Sequence, residues 1–464
     1  MPQSRRDFLV TAAAFSAGFA GLHTFSSRHT ALAQPTGSQI VDGFGPLISD
    51  PNGIFDLPEG FSYRIVSRTG ETMDDGFLVP GVPDGMAAFP GPDGQTVLIC
   101  NHELSAKNRS VSPFGADLGL LDRIDREAMY DFGGGSHPCI GGTTSILYDT
   151  RTQETKGHKL SLCGTIRNCA GGPTPWNTWI SCEEDVTRAG GAFEQDHGWN
   201  FEVPSDWDAP MAKPVPIKAM GRFNHEAVAV DPKTHIIYQT EDRNDGLIYR
   251  FLPEDRNDIH KGGRLEALVI ARQPGYDTRN WDNPTGYPIG ASFEVSWIPM
   301  DNTDAPDDDL RYRGHEAGAA LFARGEGMWT GTDGIYFACT NGGPAKMGQV
   351  WRYVPSPFEG TERESEQPGR IELFVEPNDG TIVGNCDNLT VTPWGDLILC
   401  EDGSGDQFLV GVTPQGDLYK FARNAVSQSE LAGACFSPDG TTLFVNIQVD
   451  GLTLAITGPW HNRA

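Results

Sequence analysis

The fold this sequence predicts is an all-β propeller, and three observations carry it. A unit of tight turn, short apolar strand and terminal carboxylate or amide occurs six times. Gly (56) and Pro (33) are abundant, as many short strands joined by turns require. No long amphipathic helical pattern runs through the chain after its N-terminal segment. A repeat that cannot bury its own apolar face implies an array, and short strands at irregular, recurring spacing suggest blades. The 464 residues suffice for one large domain with a substantial core.

The N-terminal segment reads as a targeting signal. Ser4-Arg5-Arg6-Asp7-Phe8-Leu9 carries paired arginines, an Ala/Gly-rich apolar run continues to about Leu22, and Ala31-Leu32-Ala33 supplies a small-x-small cleavage site. Residues 1–33 are therefore expected to be a twin-arginine signal peptide and residues 34–464 a single propeller domain. The run is too short for a permanent membrane anchor. The expected partner is the twin-arginine export machinery, and the expected location periplasmic or extracellular. A net charge of −27 argues against nucleic acid or an anionic membrane as a partner and gives a mild prior for a monomer. It fits either a soluble exported surface or a surplus of carboxylates offset by bound cations.

The six copies are PDGQTVLICNHE (Pro92–Glu103), PWNTWISCEED (Pro175–Asp185), PKTHIIYQTED (Pro232–Asp242), TDGIYFACTN (Thr332–Asn341), PWGDLILCED (Pro393–Asp402) and PDGTTLFVNIQ (Pro438–Gln448). Upstream of each turn a second apolar stretch opens on a polar group: Asp84, Asn168 with Cys169, Glu226, Glu326, and Asp387 with Asn388. Only Ala432–Phe436 in the last copy lacks one. A hairpin folds its two ends together, so these residues should meet at one end of each blade. The first strand of a propeller blade lines the central channel, which places the polar groups at one channel mouth.

Nine cysteines leave at least one without an intramolecular partner. Cys100, Cys182, Cys339 and Cys400 near the strand ends are expected to pack as small buried hydrophobes. Cys169, between Asn168 and the Gly171-Gly172 pair, should face the channel mouth, where a thiolate favours iron, zinc or copper over calcium. The absence of a CxxC pair argues against a structural zinc site.

The stretches NCAGGPTPWNTWISCEE, GRFNHEAVAVDPKTHIIYQTEDRNDGLIYRFLP, ACTNGGPAKMGQVWRYVP, DNLTVTPWGDLILCEDG and FSPDGTTLFVNIQ resemble the PhoX-type alkaline phosphatases, in order from about Asn101 to Trp460. The resemblance implies a six-bladed β-propeller with irregular inter-blade insertions and a mixed Fe3+ and Ca2+ cluster near its axis, hydrolysing phosphate monoesters. Carried onto this chain, it implies metal ligands among Cys169, Glu183, Glu184, Glu226, Glu241, Glu103, Asp387, Asn388, Glu401 and Asp402. Cys169, Glu226 and Glu241 are the expected iron set, with the remaining acids for calcium. The chain departs from the family pattern at Asn385-Cys386-Asp387-Asn388, where the family usually has Pro in place of Cys386, and at Val449-Asp450-Gly451.

Phosphate ester hydrolysis needs neutralisation of a dianion and an activated oxygen nucleophile, and clustered cations supply both. Calcium accepts six to eight mixed oxygen ligands, which the Glu, Asp and Asn termini offer. Arg243, beside Glu241, is the expected phosphoryl clamp, because its fork can grip two oxygens. Arg167 and Lys346 are weaker candidates. His102 and His225 offer either a metal ligand or base or, as the favoured reading, hydrogen bonds to the neighbouring carboxylates. His197 and the acidic Asp301–Asp309 loop show no spacing that demands chemistry. Two rival functions are a calcium-dependent propeller lactonase or esterase, and a non-enzymatic calcium-stabilised binding propeller. No nucleophile elbow, Walker loop or GxGxxG after a strand is present.

Overall fold

A computed structural model describes residues 38–282 and 286–462. The expected signal peptide lies outside the described residues. Six antiparallel meanders follow one another along the chain, with inner strands Pro83–Pro90, Asn168–Pro173, His225–Val230, Gly325–Thr330, Cys386–Val391 and Leu431–Phe436. Each inner strand packs against the next, and the sixth packs against the first, so the six close a ring. This is the all-β propeller read from the repeats.

Each inner strand pairs with the strand after its turn, for example Pro83–Pro90 with Thr96–His102 and Cys386–Val391 with Leu397–Glu401. The second blade has three strands; the third and fourth are joined at their outer edges through Ser292–Pro299. In the sixth blade the outermost strand is Ser62–Arg68, from before the first blade, paired antiparallel with Leu452–Thr457. The sixth copy, which lacks an opening acid, thus joins the two ends of the propeller.

The core lies between blades rather than within them, because each thin sheet has two apolar faces to cover. Phe444, Cys435 and Ala455 of the sixth blade meet Met86, Leu98 and Tyr148 of the first, and Ile99, Phe89 and Leu162 meet Trp179, Trp199 and Phe201 of the second. Burying each of the Leu, Ile, Met and Phe side chains among them stabilises the ring by about 1.5–3 kcal/mol. Insertions form the irregular connections, among them residues 103–140 and the segment carrying the helix Leu310–Glu316. The acidic Asp301–Asp309 loop precedes that helix; Asp308 pairs with Arg311, and Asp301 and Asp309 pair with Arg313.

Candidate metal centre at the propeller axis

All six inner strands carry a bulge within their first residues: at 83/86, 168/171, 225/228, 325/328, 386/389 and 432/435. A bulge turns a side chain out of the strict alternation of a strand. Asp84, Cys169, Glu226, Glu326 and Asp387 all sit in these bulges. The sixth offers only Gly433 and Ala434, so it supplies no ligand there. Small residues beside the bulges let neighbouring strands approach: a Cβ on Gly85 would lie 2.5 Å from Ala170 Cα, and one on Gly327 2.7 Å from Asn388 Cα.

A second ring is built by backbone geometry. The amides of Glu103, Glu184, Asp242, Thr340, Asp402 and Gln448 donate to the carbonyls of Val82, Arg167, Asn224, Arg324, Asn385 and Glu430, closing each hairpin at the mouth. Val82, Arg167, Arg324 and Asn385 hold φ of 49°, 46°, 52° and 58°. Such left-handed backbone costs about 1–3 kcal/mol per non-glycine residue and persists where the surroundings impose it.

Opening and closing residues meet in an arc of four overlapping groups. Asp84, Glu103 and Cys169 form the first; Cys169, Glu184 and Glu226 the second; Glu226, Glu326 and Asp387 the third; Asp387, Asp402 and Glu430 the fourth. Potential ligand atoms within each group lie within 4.8 Å of one another. Cys169, Glu226 and Asp387, each shared by two groups, are all bulge residues.

Few cations or donors offset this charge. Arg167 reaches Glu103 (2.7 Å) and Glu184, and Arg324 grips Asp242 with two bonds (2.8 and 2.9 Å) and reaches Glu326 (2.7 Å). Gln448 donates to Asp84 (2.8 Å) and Glu103 (3.1 Å), and Asn388 to Asp387 (3.1 Å). Cys169 Sγ lies 2.9 Å from Glu184 Oε2. The remaining acids face one another. Burial, then the neighbouring carboxylates, holds Asp84, Glu226 and Glu326 well above the ordinary carboxylate range. Burial pushes Glu184 up to about 8 and Asp387 to about 7, and raises the Cys169 thiol. Acids that disfavour their own charge this strongly invite cations in place of protons. The donor set, one thiol among hard oxygens, suits a transition metal at Cys169 and calcium elsewhere. Asn224, beside Glu184, adds a buried amide oxygen with no hydrogen-bond partner.

Cys169, Glu184, Glu226, Glu103, Asp387 and Asp402 therefore converge at the axis, with Asn388 bracing Asp387 and accepting from the Gly433 amide (2.9 Å). Glu183, Glu241 and Glu401 do not join them. Strand alternation turns each acid one residue before the closing residue away from the axis. Glu183 accepts from the Ile166, Gly198 and Trp199 amides, Glu241 from the Leu247 amide and Tyr249 hydroxyl, and Glu401 from the Gly384 and Phe408 amides. They fasten the loops at the mouth. His102 occupies the same position in the first blade and bonds the Gly81 carbonyl and Thr144; His225 bonds the Gly221 carbonyl. Neither histidine reaches the glutamate that follows it.

Arg243 turns to Asp308 (3.4 Å), and Lys346 lies over the Trp281 ring (4.4 Å). The axial guanidinium groups are Arg167 and Arg324, both two residues before a bulge residue. Arg324, Asp242, Glu326, Asp84 and Glu430 were absent from the expected ligand and clamp sets, although Asp84 and Glu326 opened their blades in the repeat pattern. In the fourth copy the closing position is Thr340, not Asn341. The four cysteines near the strand ends are buried as expected. A groove of about 700 Å³, lined by Glu103, Lys107, Arg167, Phe193 and Gln448, opens beside the first group.

Comparison with known proteins bears on this site. The structure is similar to that of Pseudomonas fluorescens PhoX in complex with vanadate, a transition state analogue. The TM-score is 0.65 at 18% identity, over 91% of this chain and 98% of that one, a likeness of fold. Weaker likenesses are to a gluconolactonase from Xanthomonas campestris (TM-score 0.37, 12% identity, 89% and 98% covered) and to a protein of unknown function from Bacteroides thetaiotaomicron (0.43, 8%, 86% and 76%). Neither bears on function. A search of the curated proteins returns no match. The protein-family match, alkaline phosphatase PhoX, spans residues 42–451 and decides the enzyme class over the lactonase and binding-propeller alternatives. The chain belongs to the PhoX family of alkaline phosphatases and is a phosphoric monoester hydrolase.

Proposed function

We propose that this phosphatase is exported, and that it works through a mixed iron–calcium cluster held by the axial arc. The observation that carries the reading is the arc itself: one thiol and a run of mutually raised carboxylates, with Arg167 and Arg324 the cationic side chains paired to them among the described residues. Cys169, Glu184 and Glu226 would hold iron, Glu184 replacing Glu241 in the expected set. Glu326, Asp387, Asp402 and Glu430 would hold calcium, and Asp84 with Glu103 would complete the cluster on the Gln448 side. Bound iron and calcium would supply Lewis-acid neutralisation of phosphoryl charge and a bound water of lowered pKa. Metal binding requires the raised acids and the Cys169 thiol to give up their protons, which ties activity to alkaline conditions.

Arg167 and Arg324 replace Arg243 as phosphoryl clamps. Each guanidinium lies at the mouth and already bridges two acids of the site, so its fork is oriented before substrate arrives. The groove beside Glu103 and Arg167 would take the alcohol portion of the monoester, with Phe193 as its apolar wall. Elemental analysis of the purified chain, alongside hydrolysis of p-nitrophenyl phosphate with and without chelator, tests this reading. Iron together with calcium, and activity abolished by chelation, is the expected result. Full activity in a chain free of both metals would refute it.

A further inference from the structure

A second group of metal-ligating side chains lies behind the axial arc. Asp131, Cys139 and His197 come from two insertion segments and place Asp131 Oδ2, Cys139 Sγ and His197 Nε2 within 4.8 Å of one another. Asp131 and His197 are fully buried, and Cys139 is 6% exposed. We propose that these three side chains form a structural site for a zinc-class divalent cation, distinct from the axial cluster.

The distances fit ligands arranged around a common centre. His197 Nε2 lies 3.3 Å from Asp131 Oδ2 and 3.8 Å from Cys139 Sγ, both at the long end for hydrogen bonds. In a tetrahedron with bonds of about 2.0–2.1 Å to nitrogen and oxygen and about 2.3 Å to sulfur, the N···O edge is about 3.3 Å and the N···S edge about 3.6 Å. The observed separations match those edges to within a few tenths of an ångström.

The surroundings point the same way. His197 Nδ1 meets Glu183 Oε1 at 2.7 Å; with Nδ1–H donating to that carboxylate, the neutral tautomer that binds a cation turns its Nε2 lone pair towards Asp131 and Cys139. This is the carboxylate–histidine arrangement that orients and strengthens a metal-bound imidazole. Asp131 is itself aimed: Oδ2 accepts from the Glu194 and Gln195 amides (2.8 and 3.0 Å) and Oδ1 from Gly133 (2.8 Å). Tyr130 and Phe193 stand edge-on to the imidazole at 5.3 and 5.6 Å. A thiolate, an imidazole and a carboxylate form a borderline-soft set that selects zinc-like ions over calcium. On binding, the Cys139 thiol releases its proton to solvent. The spacing 131, 139, 197 has no CxxC, which is why cysteine spacing alone argued against zinc. The cation would tie the segment at Asp131–Cys139 to the one ending at His197. Through Glu183 it would brace the strand end that presents Glu184 to the axis.

The test uses cobalt as a spectroscopic stand-in. The full chain carrying Cys169→Ala, which removes the axial thiol, is stripped with chelator and titrated with Co2+. One equivalent should bind with the near-ultraviolet thiolate-to-cobalt band, and the further change Cys139→Ala should abolish that band while circular dichroism stays β-rich. His197→Gln in the same background should weaken binding by at least tenfold; if that variant does not fold, the Cys139 comparison stands alone. Elemental analysis of the unstripped chain should show one zinc-class equivalent that survives Cys169→Ala and is lost with Cys139→Ala. Absence of the cobalt band from the Cys169→Ala chain, or its persistence without Cys139, would overturn the proposal. Either result would leave His197 as an imidazolium between Glu183 and Asp131, and would not bear on the axial phosphatase site.

Discussion

Two clusters in this molecule gather carboxylates around arginine and differ in how their charge is met. At the outer edge of the third and fourth blades, Glu266, Glu359 and Glu364 surround Arg250, with bonds of 2.6–2.8 Å. Tyr238 and Tyr353 donate to Glu359 (2.9 and 2.8 Å), and Trp297 lies against the guanidinium at 4.6 Å. There each carboxylate has its partner in the protein. At the axis, Asp84, Glu226, Glu326 and Asp387 face other acids, and two arginines are shared along the whole arc. The outer cluster is a completed structural device, whereas the axial one is complementary to something that brings positive charge.

Substitutions should separate the two regions. Cys169→Ser or Glu226→Gln should lower kcat for p-nitrophenyl phosphate by at least about 100-fold and strip the axial metal, since each belongs to two ligand groups. Folding at neutral pH should be retained, because removing one of several facing acids relieves repulsion. Arg250→Met should do the reverse. It leaves buried glutamates uncompensated and should cost about 3–5 kcal/mol of stability in thermal or denaturant melts, with kcat little changed in what remains folded.

Smaller effects sharpen the contrast inside the axial region. Arg324→Lys keeps the charge but loses the two-pronged grip on Asp242, and should raise KM more than it lowers kcat. Arg243→Ala should leave KM within about twofold, because Arg243 faces Asp308. Glu401→Gln, in a carboxylate that fastens the Gly384 and Phe408 amides, should weaken metal retention by no more than about 10–100-fold and leave detectable turnover.

Much of this was legible in the sequence, for physical reasons that can be named. Six turn–strand units with polar termini gave the propeller because the array is the only way such units bury both faces. Pairing strand openings with strand ends brought Cys169, Glu226 and Asp387 to one mouth. The doubled acids were misread because two adjacent carboxylates look alike in a sequence but face opposite ways on a strand. Period-two alternation separates Glu183 from Glu184 and Glu401 from Asp402, and would have removed Glu241 from the iron set. The bulges that aim the opening residues left no pattern beyond nearby glycines such as Gly85 and Gly327. Arg324 and Glu430 lie outside the six repeats, and the hairpin-closing hydrogen bonds reveal their shared position. The site at Asp131, Cys139 and His197 joins insertions with no repeat at all.

The central claim is that the axial acids are stabilised by bound cations rather than by the protein. Thermal melting of the metal-stripped chain across pH tests it most directly. Glu184 rises from 4.5 to about 8 and Asp387 from 3.8 to about 7 in the folded state, so folding holds their protons more tightly. Their contribution is fully present below the unfolded values and is lost as pH climbs from about 4 to about 8. The account predicts a stripped chain whose Tm falls across that window and is restored at pH 8 by added iron and calcium, with the restoration reduced in Glu226→Gln. A stripped chain whose Tm stays level or rises through that range, and does not respond to metal, would contradict it.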